Sequence, residues 1–216
     1  AEVILMQYAA LIVDLINSKK LSTEYREQIQ QFLKLCLETL NSIFKPALQF
    51  EVIFSAGDEV QGLFSSPLAA YLYLRLLNMF LAPVQVRCGM GVGEWEVRIP
   101  HGTSTEQDGQ VYHNARSAIE NNAGYSVLIK SDHGNDIYLN TLMNTSFLLM
   151  EKQSYSQNQI QILSELMFPL AENDLMNMES FSSTYELFQE KITRGIFTVG
   201  KKSMRSVKKL KEISSE

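Results

Sequence analysis

The 216-residue chain has few of the residues that staple or ligate small folds: two cysteines and three histidines. Cys36 lies in a helical pattern and Cys88 in a strand pattern, so they make no disulfide framework, and no Cys/His cluster has the spacing of a zinc site. Both cysteines read as core residues. His101, His113 and His133 are dispersed, and no G-x-S-x-G pattern accompanies them, which excludes a hydrolytic triad of the usual kind. Long apolar runs are also missing. The longest without a tyrosine, Ala9 to Val13, stops at Asp14, far short of the roughly 20 residues a membrane-spanning helix needs. No leader pattern opens the chain, so the expectation is a soluble, cytoplasmic protein without a membrane partner. With 11 glycines, 5 prolines and 45% hydrophobic residues, collagen-like architecture and wholesale disorder are excluded.

What the chain does have is charge in an uneven arrangement. The net charge is −5. Residues 1–140 carry 10 Lys and Arg against 15 Asp and Glu, residues 141–190 carry 1 against 7, and residues 191–216 carry 8 against 2. A basic segment on an acidic protein points to an anionic partner, because clustered Lys and Arg neutralise phosphates and release their counterions.

Hydrophobic periodicity divides the first 130 residues into alternating elements. Tyr8 to Val13 is a buried strand that ends at Asp14. Ser22 and Thr23 can cap a helix whose apolar stripe is Ile29, Phe32, Leu33, Cys36, Leu37, Leu40 and Phe44, ending before Pro46. Gln49 to Ser55 alternates with Phe50, Val52 and Phe54 inward, and Val60 to Phe64 follows the turn Ala56-Gly57-Asp58-Glu59 to complete a hairpin. Ser66-Pro67 opens a second helix, Val84 to Val92 is a strand, Val111 to Ile119 a third helix and Tyr125 to Ile129 a fifth strand. The order predicts an α+β fold with a ferredoxin-like βαββαβ core and a further αβ unit. Beyond Asn135 helical spacing takes over. The expected domains are 1–140, α+β, and 141–216, a small all-α domain.

Asp14 at the end of the first strand and Asp58 in the hairpin turn converge if those strands are neighbours. Two carboxylates of that kind are a minimal Mg²⁺ site that relies on substrate phosphates and water for its other ligands. Glu59 adds a ligand or an acid/base group. Four blocks carry a resemblance: Ala10-Leu11-Ile12-Val13-Asp14-Leu15-Ile16-Asn17-Ser18-Lys19-Lys20, Gly57-Asp58-Glu59-Val60-Gln61-Gly62-Leu63, Arg87-Cys88-Gly89-Met90-Gly91-Val92-Gly93-Glu94 and Asp108-Gly109-Gln110-Val111-Tyr112-His113-Asn114-Ala115-Arg116-Ser117-Ala118. Together they resemble the bacterial SatD family. The core is also similar to the palm of class III nucleotide cyclases and GGDEF diguanylate cyclases. That resemblance implies Asp14 and Asp58 as metal ligands and Asp14, Asp58 and Glu59 as catalytic residues. The turn here, Ala56-Gly57-Asp58-Glu59-Val60, lacks the first Gly and the final Phe of a GGDEF signature.

Nucleotide-binding candidates at the same rim are Asn17, Ser18 and Lys19 after the first strand, Gly57 in the turn, Arg87 in the fourth strand, and His113 and Arg116 in the third helix. An inward Arg87 needs a carboxylate or a phosphate. Gly89, Gly91 and Gly93 lie in a strand with no helix directly after it, so they are no dinucleotide fingerprint and read as positions of close packing or a bulge. In the tail, a helix, a Gly195-containing turn and a basic helix with Lys201, Lys202, Arg205, Lys208 and Lys209 follow the plan of a helix-turn-helix, so DNA is the expected partner. The first reading is a nucleotide-sensing domain fused to a DNA-binding tail, a regulatory protein. The second is a Mg²⁺-dependent nucleotidyl cyclase or nucleotidyltransferase. The third is a catalytically inactive structural or interaction protein, a homodimer.

Overall fold

The computed structural model describes residues 7–16, 22–81 and 84–132, with 136, 137, 140, 141 and 144. The order is β1 (Tyr8–Leu15), α1 (Thr23–Ile43), β2 (Leu48–Ala56), β3 (Glu59–Phe64), α2 (Pro67–Leu81), β4 (Val86–Gly93), α3 (Gln110–Glu120) and β5 (Val127–Lys130). It is a mixed α+β fold, and the sequence of elements is the one that periodicity predicts. The basic tail, with Lys201, Lys202, Arg205, Lys208 and Lys209, lies outside the described residues, as do Asn17, Ser18 and Lys19. Of the segment expected as a second domain, 141–216, only Thr141 and Asn144 are described.

The described residues fall into two compact units. The first holds the sheet, the start of α2, and α3. Its strands run in the order β2-β3-β1-β4-β5. The β2–β3, β3–β1 and β1–β4 pairs are antiparallel and β4–β5 is parallel. The second unit holds α1 and the last turns of α2. In it Ser22 caps α1, its hydroxyl accepting from the Tyr25 N–H at 3.4 Å. The stripe Ile29, Phe32, Leu33, Cys36, Leu37 and Leu40 is buried as its spacing demands. Cys36 and Cys88 are free and buried, and burial pushes both thiols far up, which makes them inert core residues.

In the sheet unit, the two-residue period of a strand decides which side chains share a face. Tyr8, Ala10, Ile12 and Asp14 of β1 stand opposite Gly93, Gly91, Gly89 and Arg87 of β4. On the other flank Ala10 faces Leu63 and Ile12 faces Gln61 of β3. This face is covered by α3, whose Val111, Tyr112, Ala115 and Ile119 form one core cluster with Tyr8, Ala10, Ile12 and Leu63. Trp95 closes the cluster edge-on against Tyr8 and Phe50, with ring centroids 5.6 and 5.3 Å away.

The glycines of β4 let α3 come this near. A Cβ on Gly91 would collide with the backbone of Val111 and Ala115, and one on Gly89 with the backbone of Ala115 and Ile119. The G-x-G-x-G spacing is therefore a helix-packing groove, the close-packing role that the sequence indicates. Asn114, fully buried, locks the contact: its Nδ2 donates to the Val92 carbonyl and to Asp132 Oδ1, both at 3.0 Å.

The strict alternation expected in β2 does not hold. Phe50 pairs with Leu63 and Ile53 with Gln61, so an extra residue is inserted between them and the strand bulges. Phe50 thus packs on the α3 side against Trp95, whereas a Cβ on Gly62 of the opposite face would press on Val52 at 2.5 Å. Further irregularities fall between Leu48 and Phe50 and, next to the two-residue loop Gly57-Asp58, between Phe54 and Ala56. Gly57 there has φ +63°, the first-position placement of a type II′ hairpin turn.

These two kinds of glycine separate in a stability measurement. Gly91→Ala forces a helix and a strand apart and is expected to cost about 3 kcal/mol, the upper end of overpacking. Gly57→Ala meets nothing within 4 Å and bears only the left-handed backbone, so its expected cost is about 1 kcal/mol. Denaturant midpoints decide, and equal losses would refute the packing account.

Candidate functional site

Where β1 ends and β3 and β4 begin, the α3-covered face changes from apolar to charged. On β4 the alternation Gly93, Gly91, Gly89 ends in Arg87, and on β1 Tyr8, Ala10, Ile12 ends in Asp14, its cross-strand partner. Arg87 Nε and Nη2 both donate to Asp14 Oδ2, at 3.1 and 2.9 Å. On β3 the same-face series Leu63, Gln61 leads to Glu59. Arg116, one residue after Ala115 of the packed helix stripe, reaches down to Glu59. Its Nη1 and Nη2 donate to Glu59 Oε2 and Oε1, both at 2.8 Å, a two-pronged pair. The Ser55 hydroxyl donates to Glu59 Oε1 at 2.8 Å, placed there by the irregularity of β2 between Phe54 and Ala56.

The two pairs form one electrostatic unit. Burial pushes the Glu59 carboxyl up, but the hydrogen bonds from Arg116 and Ser55 and the charges of Arg116 and Arg87 outweigh it and hold the carboxyl below its ordinary value. The Arg116 guanidinium is correspondingly raised by the Glu59 hydrogen bonds, against burial. Exposure differs within each pair: the side chains of Arg87 and Arg116 are 41% and 44% exposed, those of Asp14 and Glu59 24% and 18%. The carboxylates sit behind and the guanidiniums in front.

Four of the residues singled out in the sequence therefore meet: Asp14, Glu59, Arg87 and Arg116. His113 pairs with Asp108, Nε2 to Oδ1 at 3.2 Å. Gly57 serves the turn through its backbone conformation, with open space where a Cβ would be. Asp58 takes the second position of that turn, and its Oδ2 is buried without a hydrogen-bond partner. Asn114 is spent on holding α3 to β4. Ser55 escapes a sequence reading because its position depends on an irregularity that no spacing encodes. Among the described residues no group of three or more His, Cys, Asp and Glu is arranged to hold a metal ion, and no helix is long and apolar enough to cross a membrane.

The SatD family model matches residues 8–210, and the chain belongs to the SatD family. No curated protein matches it. Among solved structures it is similar to the catalytic core of a rhodopsin-guanylyl cyclase with converted specificity in complex with ATPalphaS, at 14% identity and a TM-score of 0.39, covering 62% of this chain and 80% of that one.

The Glu59–Arg116 pair carries a pH signature. Because the folded-state value of Glu59 lies below the ordinary 4.5, the pair's contribution is complete above that ordinary value and is lost as pH falls through the lower folded one. Half-exposed guanidinium groups are screened by water, so Glu59→Gln is expected to cost about 1 kcal/mol at pH 7. Urea unfolding of both proteins between pH 7 and pH 3 checks this: the difference between them must shrink on acidification, and a constant difference would refute the assignment.

Proposed function

We propose that this SatD-family chain is a regulatory protein whose α+β domain binds the phosphates of a nucleotide at Arg87 and Arg116 and whose basic C-terminal segment binds DNA. The observation that carries the first half is the outward placement of two guanidiniums over two less exposed carboxylates. Asp14 and Glu59 orient the arginines, and an arginine fixed from behind loses less side-chain freedom when it takes a phosphate. Arg87 uses Nε and Nη2 on Asp14, leaving Nη1 to face a ligand, and Arg116 uses both terminal nitrogens on Glu59, leaving Nε. The strand order β2-β3-β1-β4 with every neighbour antiparallel supports the ferredoxin-like reading of this core. Gly57 supports a nucleotide site only through the turn it makes, and His113 is paired with Asp108. For the tail, the support is the excess of 8 basic over 2 acidic residues in 191–216.

A second reading, Mg²⁺-dependent nucleotidyl transfer, is favoured by a single feature, the buried Asp58 Oδ2 that lacks a hydrogen bond. A cation would satisfy that atom. Asp14 and Asp58 would hold the ion, which would supply positive charge at a bound phosphate. Asp14 would first have to release Arg87.

Thermal shift with ATP, GTP, CTP and UTP, each with and without Mg²⁺, separates the readings. Saturation a hundredfold above the dissociation constant adds about 2.7 kcal/mol, a rise of several degrees for a chain of this size. The expected result is a rise that needs no Mg²⁺ and is lost in Arg87→Ala and Arg116→Ala, each measured against its own ligand-free Tm. A rise that requires Mg²⁺ and disappears in Asp58→Asn would favour the second reading. No rise with any of the four would overturn both.

For the tail, Lys201→Ala with Arg205→Ala is expected to weaken binding to duplex DNA uniformly and to reduce the salt slope by about 2. Binding that ignores salt would refute a phosphate-contacting tail.

A further inference from the structure

Asp108 and Gly109, at the entry to α3, bring together the parts of a reaction that the charged strip does not use. The fold requires glycine at the second position. Gly109 has φ +151°, and a Cβ there would stand 2.7 Å from the Glu96 nitrogen and 2.8 Å from the Glu94 carbonyl oxygen. The residue after Asp108 therefore has no side chain to shield its nitrogen. That nitrogen lies against the Asp108 side chain, with the Gly109 N–H donating to Asp108 Oδ1 at 2.8 Å. His113, one turn into the helix, sets its Nε2 3.2 Å from the same oxygen. Oδ1 thus has two proton-bearing nitrogens beside it. The Asp108 side chain is 56% exposed and that of His113 65%, so water reaches both.

The main chain is held in a way that favours attack by this nitrogen. The Val97 N–H donates to the Asp108 carbonyl at 2.9 Å, and the Asp108 N–H donates to the Val97 carbonyl at 3.3 Å. A peptide nitrogen that gives up its proton spreads the charge onto the carbonyl oxygen of the same peptide, here that of Asp108. The Val97 N–H is already aimed at that oxygen and stabilises the charge as it develops. This bridge uses the N–H and C=O of Asp108 and leaves the Gly109 N–H to the side chain. Nitrogen and carboxyl group are thereby kept side by side, and the search for alignment that slows a flexible chain is removed.

We infer that Asp108 and Gly109 form a self-modifying site, at which the Gly109 nitrogen closes on the Asp108 side chain with His113 as proton donor and the main chain becomes isoaspartyl. The Gly109 nitrogen bonds to Asp108 Cγ. Oδ1 takes the proton of the Gly109 N–H and one from the protonated His113 and leaves as water, and the product is a five-membered cyclic imide. Water then opens the imide. Addition at Cγ restores aspartate, whereas addition at the main-chain carbonyl carbon leaves the chain running through the side chain, one methylene longer. The proton lent by His113 returns when the new carboxylate ionises, so the cycle consumes and releases only water. The longer link breaks the register of the bridge to Val97, and the tight seat of Gly109 against Glu94 and Glu96 has no room to absorb it. Conversion therefore loosens the start of the helix that carries Arg116.

The test uses the full chain, unmodified and as His113→Ala, incubated at neutral pH in heavy-oxygen water, both folded and unfolded in guanidinium chloride. Every opening of the imide leaves one heavy oxygen at Asp108, whichever way it opens. Electron-transfer fragmentation of the tryptic peptide from Ile99 to Arg116 places the label and tells isoaspartate from aspartate. Label and isoaspartate are expected to accumulate at Asp108 in the folded, unmodified chain. Labelling is expected to be about tenfold slower in folded His113→Ala, where the proton donor is gone, and about tenfold slower in the unfolded chain, where the alignment is gone. The alanine stands at an exposed helical position, so the fold survives the change. No label at Asp108 in the folded chain would overturn the site. Equal or faster labelling of the unfolded chain would make the reactivity a property of the dipeptide alone and overturn it as well. Undiminished labelling in His113→Ala would overturn the proton donor.

Discussion

The close approach of α3 to β4 sets the position of nearly everything else in the sheet unit. A helix normally stands off a sheet by the length of the side chains between them. Here Gly89 and Gly91 have none to interpose, and the backbone of Val111, Ala115 and Ile119 sits where their side chains would be. This low seat of the helix puts Val111, Ala115 and Ile119 into one cluster with Tyr8, Ala10, Ile12 and Leu63. It also brings Asn114 within reach of the Val92 carbonyl. A helix held two or three ångströms higher would lose that bond and open a void between Ala10 and Ala115, where neither partner has a side chain long enough to fill it.

The charged strip is the end of the same face. Arg87 continues the glycine row, and Asp14 continues the apolar row of β1. Arg116 reaches Glu59 because the helix that bears it lies so near the sheet. The arrangement is balanced in charge, two carboxylates against two guanidiniums, and directional in exposure, with the guanidiniums outermost. Glu59 is held by hydrogen bonds that keep its carboxyl below the ordinary value, so Arg116 stays oriented across the neutral pH range. Ser55 contributes a third hydrogen bond to Glu59 at the expense of regular pairing in β2. The irregularity of that strand and the geometry of the strip are thus one feature.

At the other margin of the sheet the unit closes its exposed edge with side-chain amides, Asn140 meeting the N–H and C=O of Ile129 and Asn144 those of Val127. The match between four helical residues and two strand residues makes this arrangement sustainable over several contacts. The sheet thus has a charged rim on one face and a guarded edge at β5, and its core between them depends on the absence of side chains at Gly89 and Gly91.

The order of elements was legible from periodicity and caps, because burial of one face imposes a two- or 3.6-residue repeat that survives in the sequence. Ser22 and Pro67 mark helix starts by local chemistry alone, and the glycines of β4 announced close packing. Four site residues were singled out in the sequence: Asp14 at the end of an apolar run, Glu59 in a turn, Arg87 within a strand pattern and Arg116 in the third helix. Their pairing was not: that Asp14 stands opposite Arg87 follows from the register of β1 against β4, which no spacing in the sequence records. Ser55 and the two faces of β2 depended on inserted residues whose place no pattern records. The asparagine row could be seen as a repeat of four, but its meaning required β5 to be an edge strand with its backbone groups turned outward. Local interactions are written in spacing and residue type. Which distant groups meet is decided by register and by how closely one backbone is allowed to approach another, and those exist only once the chain has folded.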